Sequence, residues 1–230
     1  MKSIATISVA FLLAPFLFAA TALAGPPLVC HSFDIGTEKS LPWTSQGWNL
    51  SGSESYNVNN LVADTVAILN ANSTVLVHME TLRRATLYAQ KDPEVAKRLL
   101  LTLVSRSNAA SNTTSAALST FDVGYLAETM KQYEWISKTS NSVAHNFDGY
   151  GRIKKAIELD PNNPQMQFAA ALVTLTGPVD EHNVYAKKAI AGAQSDPLLA
   201  RNLSNHFMNP QSETMADMIT RDSSVKAAHK

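Results

Sequence analysis

Cysteine is almost missing from the 230-residue chain, where Cys30 stands alone. One cysteine forms no internal disulfide, so stability must come from packing, and the leftover thiol is free to pair with another chain, bind a metal or be buried. Charge is also scarce. Charged residues make up 17% of the chain, and 19 Lys and Arg are matched by 19 Asp and Glu. That balance gives no support for an electrostatically driven nucleic-acid partner. Catalytic signatures are missing too: there is no G-x-S-x-G, no glycine-rich phosphate loop and no H-E-x-x-H. After His31 the histidines are His78, His145, His182, His206 and His229, none three or four residues from another, so no helical metal pair is visible. No metal or other cofactor is expected.

The first 24 residues read as a cleavable signal peptide. Lys2 supplies the positive start, Ile4 to Ala20 the apolar run and Ala22-Leu23-Ala24 the small-residue cleavage signal. The run is near the lower length limit for a membrane span and contains Pro15, which favours cleavage over anchoring. No later segment approaches the length of a span, so no stable span is expected once the signal is removed. Pro27-Leu28-Val29 before Cys30 lacks the small residue of a lipoprotein cleavage site. The expected location is therefore periplasmic in a Gram-negative bacterium and secreted otherwise. Roughly two hundred residues remain, enough for one domain with a substantial core. Losing Lys2 leaves one net negative charge. Four N-x-[ST] sequons, at Asn49, Asn72, Asn112 and Asn202, bear on the protein only in a eukaryotic source.

Residues 25–60 show no helical period and read as an extended N-terminal arm. Phe33, Ile35, Leu41, Trp43 and Trp48 are its expected anchors, because aromatic residues at this density suit packing on a body better than disorder. Cys30-His31-Ser32-Phe33-Asp34 is the most chemically loaded stretch. Its thiol, imidazole and carboxylate are all possible metal ligands, and a Cys–His pair is a possible nucleophile. Neighbours in extended chain point in different directions, however, and no C-x-x-C spacing supplies further ligands.

Residues 61–221 read as a helical body, followed by a frayed tail at 222–230. Asn59 or Asn60 caps a helix from Leu61 to about Ala71, and Ser73 or Thr74 caps one running to about Gln90. On the second, Glu80 and Arg84 are spaced for an exposed ion pair, and Arg83-Arg84 beside His78 and Glu80 form either an anion site or a solvated face. Asp92-Pro93 starts a third helix whose leucines leave almost no polar face, which predicts a central position. Ser107 to Ser115 reads as a polar loop. A long helix from about Ser115 to Ile136 then carries a stripe of Leu118, Phe121, Tyr125, Met130, Tyr133 and Ile136, read as core or as a ligand groove. Helices from Val179 to Ala193, from Asp196-Pro197 onward and from Glu213 to Thr220 complete the body.

Between them, Tyr150 to Thr176 reads as one helix, an elbow at Asp160-Pro161-Asn162-Asn163-Pro164 and a second helix folding back. Lys155 to Asn163, K-A-I-E-L-D-P-N-N, resembles the junction between tetratricopeptide repeats, typically K-A-[IL]-E-L-D-P-N-[ND]. The upstream helix lacks the family's W-x-x-L-G-x-x-Y pattern. Asp-Pro recurs at Pro93, Pro161 and Pro197, spaced by 68 and 36 residues against the family's period of about 34. The resemblance implies an all-α fold: an irregular α–α hairpin array, either a tetratricopeptide-like solenoid or a compact helical bundle, with an extended N-terminal arm. It also implies a module that binds a protein or peptide partner. Cys30, His31, Asp34, Trp43, Trp48, Arg83 and Arg84 are the candidate binding residues, and no catalytic residue is assigned. The alternatives are a metal- or thiol-dependent enzyme centred on Cys30 and His31, and a structural subunit crosslinked through Cys30.

Overall fold

The computed structural model describes residues 27–44, 50, 52–70, 73–138, 143–175 and 179–207. The expected signal peptide, Trp48, the helix expected from Glu213 to Thr220 and the expected tail lie outside them. Among the described residues the fold is all-α, with eight α-helices and no strand. They are α1 (Leu61–Asn70), α2 (Val75–Ala89), α3 (Pro93–Ala109), α4 (Thr113–Ser137), α5 (Gly149–Leu159), α6 (Pro164–Val173), α7 (Val179–Ala193) and α8 (Pro197–Phe207). A 3-10 turn at Val58–Asn60 leads into α1.

Side-chain caps set most helix starts. Asp92 accepts the Glu94 and Val95 N–H groups ahead of α3, Asn112 that of Ser115, Asp148 that of Gly151, Asn163 that of Met166 and Asp196 that of Leu199. Each meets a donor that the first helical turn leaves without a backbone partner. At the elbow, Asp160 ends α5 and its carboxylate accepts the Asn163 side-chain amide at 3.0 Å. Pro164 opens α6.

Consecutive helices pack as hairpins, α4 most extensively on α5 and α6 on α7. Two features of the sequence allow those close approaches. A Cβ on Gly124 of α4 would come within 2.6 Å of the Gly149 carbonyl oxygen, so glycine is required where α4 meets α5. On α6, Ala169, Ala170 and Ala171 are all fully buried.

Two expectations are corrected. The polar stretch 107–115 is not a loop: α3 continues to Ala109, α4 begins at Thr113, and only residues 110–112 join them. Weak helix formers are tolerated in these terminal turns because the Asn112 cap and tertiary packing outweigh propensity. The central helix is α2 rather than α3. Leu101 of α3 is 56% exposed, whereas every α2 side chain except Arg84 is buried. The arm makes that difference, since it covers the face of α2 that the helical body leaves open.

Candidate functional site

Glu80, Arg83 and Arg84 share one face of α2 by their i, i+3, i+4 spacing. Glu80 is fully buried, and its carboxylate accepts Arg83 Nε at 2.8 Å, Arg83 Nη2 at 2.9 Å, Arg84 Nε at 2.6 Å and the Phe33 backbone N–H at 3.0 Å. The expected exposed Glu80–Arg84 pair is therefore present but buried on its carboxylate side. The solvated-face reading of Arg83-Arg84 is likewise overturned, with Arg83 2% exposed.

Two guanidinium groups around one carboxylate leave an excess positive charge, and the arm offsets it. Arg83 Nη1 donates to the Val29 carbonyl at 3.1 Å and Arg84 Nη1 to the Leu41 carbonyl at 2.5 Å. The Trp43 ring lies 5.0 Å from Arg83 and 5.9 Å from Arg84, within cation–π range. Leu28, Val29, Phe33 and Leu41 are buried alongside, each contributing about 1.5–3 kcal/mol by area. Tyr88 completes the attachment, donating its hydroxyl to the Pro42 carbonyl and accepting the Ser53 N–H. A salt-bridged clamp thus fastens the arm to α2.

Of the sequence-predicted residues, the clamp brings together Trp43, Arg83 and Arg84, with Cys30 and His31 at its edge. Asp34 sits apart, paired with Arg201 at 2.6 Å and bracketed by Asn202 of α8. That guanidinium, helped by the Gly36 N–H, holds the Asp34 carboxyl below its usual range. Burial pushes the Cys30 thiol up and the His31 imidazolium down; the Arg83 charge lowers both but is the smaller influence on each. A nucleophilic thiol needs its pKa lowered overall, so this environment does not activate Cys30. Among the described residues no group of three or more His, Cys, Asp and Glu side chains is placed to hold a metal ion.

Beside the clamp is an aromatic cluster. Phe33 stacks on His206 of α8, with ring centroids 4.7 Å apart and planes 6° apart, and meets Phe168 edge-on at 6.1 Å. Burial pushes the His206 pKa down to about 4. On the other side of α2, His78 Nδ1 lies 2.6 Å from Asp122 Oδ1, and Arg106 is 3.7 Å from the same carboxylate. His78 and Asp122 are each 1% exposed. This pair ties α2 to α4 out of reach of any substrate.

A second polar constellation has the opposite character. The end of α2, the start of α3 and the end of α4 enclose a cleft of about 300 Å³. Ala89, Ala96 and Met130 give it an apolar lining, to which Val143 adds an edge. Thr86 of α2 and Gln90, the C-cap one helical turn further on, also line it, and the buried Thr86 Oγ1 and Gln90 Nε2 atoms have no hydrogen-bond partner among the described residues. Glu134 lines it from α4 with its side chain 11% exposed, and the carboxylate is 3.3 Å from His145 Nδ1, whose side chain is 63% exposed. Met130 and Tyr133 belong to the stripe whose reading was core or groove. Its Phe121 and Tyr125 are core, while Met130 and Tyr133 line the cleft. Thr86, Gln90 and Glu134 carry no sequence signal that would have marked them. Comparison of the chain with protein-family models, curated proteins and solved structures returns no match.

Proposed function

We propose that the chain is an exported binding module that takes a protein or peptide segment in the cleft between α2, α3 and α4. The observation that supports this reading is the pair of buried polar atoms on Thr86 and Gln90 that have no partner among the described residues, set beside the apolar side chains of the lining. Buried polar groups are nearly always paired, and leaving one unpaired costs about 1–3 kcal/mol. A ligand that supplies the partners recovers that cost. The cleft is at the small end of the range for ligand sites, sized for one or two residues of a chain rather than a large cofactor. The tetratricopeptide-like elbow supports the same class of function by analogy of architecture. No helix among the described residues is long and apolar enough to cross a membrane.

The test is capture of random-sequence peptides by the wild-type protein and by Ala96→Trp, whose indole would fill the cleft. Peptides held by the wild type and lost by the variant, at an unchanged melting temperature, are expected. No captured peptide, or the same peptides from both proteins, would overturn the reading.

A further inference from the structure

Resting on that reading, the chemistry of the cleft narrows its occupant. Besides the Tyr133 and Ser137 hydroxyls, the lining offers three polar functions with distinct demands: the Glu134 carboxylate, the Gln90 side-chain N–H and the Thr86 hydroxyl. Among the described residues of the lining Glu134 is the only charged one, and the imidazole beside it is largely exposed. A largely buried carboxylate in that position favours a cationic hydrogen-bond donor. Gln90 Nε2 requires an acceptor. Ala89 and Ala96 leave room for an apolar side chain, and Met130 supplies an adaptable surface for it.

We infer that the cleft captures the free amino terminus of a peptide whose first residue is apolar. The ammonium group is the charge-assisted donor to Glu134. The first peptide carbonyl, two bonds further along the chain, accepts from Gln90 Nε2. The Thr86 hydroxyl accepts a second ammonium proton. The first side chain occupies the space over Ala89, Ala96 and Met130. Other ends of a peptide fit less well. A C-terminal carboxylate would face Glu134 with like charge. A lysine or arginine side chain brings donors alone and leaves the Gln90 N–H without an acceptor. A simple alkylamine has the same defect. Capture of a peptide's terminal amine is an established mode of peptide recognition.

The experiment titrates the purified protein with Leu-Ala-Ala-Ala amide, with its N-acetylated counterpart and with butylamine. The free peptide is expected to bind about tenfold or more tightly than either, the usual scale for one charge-assisted contact. In Glu134→Gln the preference for the free over the acetylated peptide should fall to near unity without a change in melting temperature. In Gln90→Leu the free peptide should weaken toward butylamine. Equal binding of free and acetylated peptide, both lost in Ala96→Trp, would retain the cleft and overturn the amino-terminal assignment. Butylamine binding as tightly as the peptide, or a preference that survives Glu134→Gln, would overturn it as well. Binding that Ala96→Trp leaves intact would overturn the cleft reading, and this inference with it.

Discussion

The clamp and the cleft lie on the same helix and use similar polar side chains to opposite ends. In the clamp, Glu80 accepts four hydrogen bonds, and Arg83 and Arg84 reach backbone carbonyls that the arm brings to them. In the cleft, one to three turns further along the chain from Glu80 and across on α4, Thr86 Oγ1 and Gln90 Nε2 have no partner among the described residues and the Glu134 carboxylate has a loosely held one. Polarity near a helix surface therefore does not mark a binding site. A saturated network is structural, because each group added to it has already found its partner. An unsaturated one leaves free energy for a ligand to recover.

The most severe way to break the clamp is Glu80→Ala. It leaves two guanidinium groups around a vacated carboxylate position, one of them fully enclosed, and removes the acceptor of the Phe33 N–H. Removing one partner of a buried pair costs about 3–5 kcal/mol, so the chemical denaturation midpoint should drop by that equivalent. The arm should also become sensitive to protease around residues 28–44 before the body does. A loss below about 1 kcal/mol would show that the network behaves as an ordinary surface pair.

Acid should open the same region. His206 is partly buried between Phe33 and Phe168, with its pKa held down to about 4 chiefly by desolvation of its ring. The groups that face it are His31 and Arg83, which lower the value further, and Glu80 and the Asn202 carbonyl, which raise it. The unfolded histidine takes up its proton near pH 6.5, before the folded one. Its contribution is thus complete above about pH 6.5 and is lost as pH falls toward 4, amounting to about 3 kcal/mol. The prediction is a slope in stability across that window that flattens in His206→Phe. His31, also lowered by burial, adds a smaller slope of the same sign.

How much of this was legible depends on the range of the interaction. The starts of α3, α6 and α8 were readable from Asp92-Pro93, Asn163-Pro164 and Asp196-Pro197, because a cap and the turn it serves lie within three residues. The all-α architecture followed from such local signals. The arm's anchoring was half legible: Phe33 and Leu41 are buried as their chemistry suggested, and Trp43 packs on Tyr88. What the spacing on α2 hid was that Glu80 and Arg83 are inside, since their extra partners come from Phe33 and Val29, 47 and 54 residues away. The cleft was the least legible. Met130 and Tyr133 stood out as a stripe, but lack of a partner at Thr86 and Gln90 is a product of packing and leaves no trace in the order of residues.

A smaller effect tests the arm's second fastening. Tyr88→Phe keeps the ring against Trp43 and Tyr56 but removes the hydroxyl that joins Pro42 to Ser53. The loss should be about 1–2 kcal/mol by thermal or chemical denaturation, with the Glu80 network intact. Combining it with Glu80→Ala should give less than the sum, because both changes release the same segment.

The last comparison reverses the sign. Thr86 is 2% exposed, and its hydroxyl oxygen has no partner among the described residues. Thr86→Val replaces that hydroxyl with a methyl group of nearly the same shape. It removes a buried polar atom without opening a cavity, so it should stabilise the protein by about 1 kcal/mol in denaturant unfolding. Binding of the amino-terminal peptide should weaken in the same variant, since the hydroxyl is one of its acceptors. A clamp residue cannot behave this way: removing a satisfied group lowers stability. If Thr86→Val proved destabilising, the hydroxyl would have a structural partner and the cleft would be a second clamp. A gain in stability together with a loss of binding separates the two regions by the sign of a single measurement.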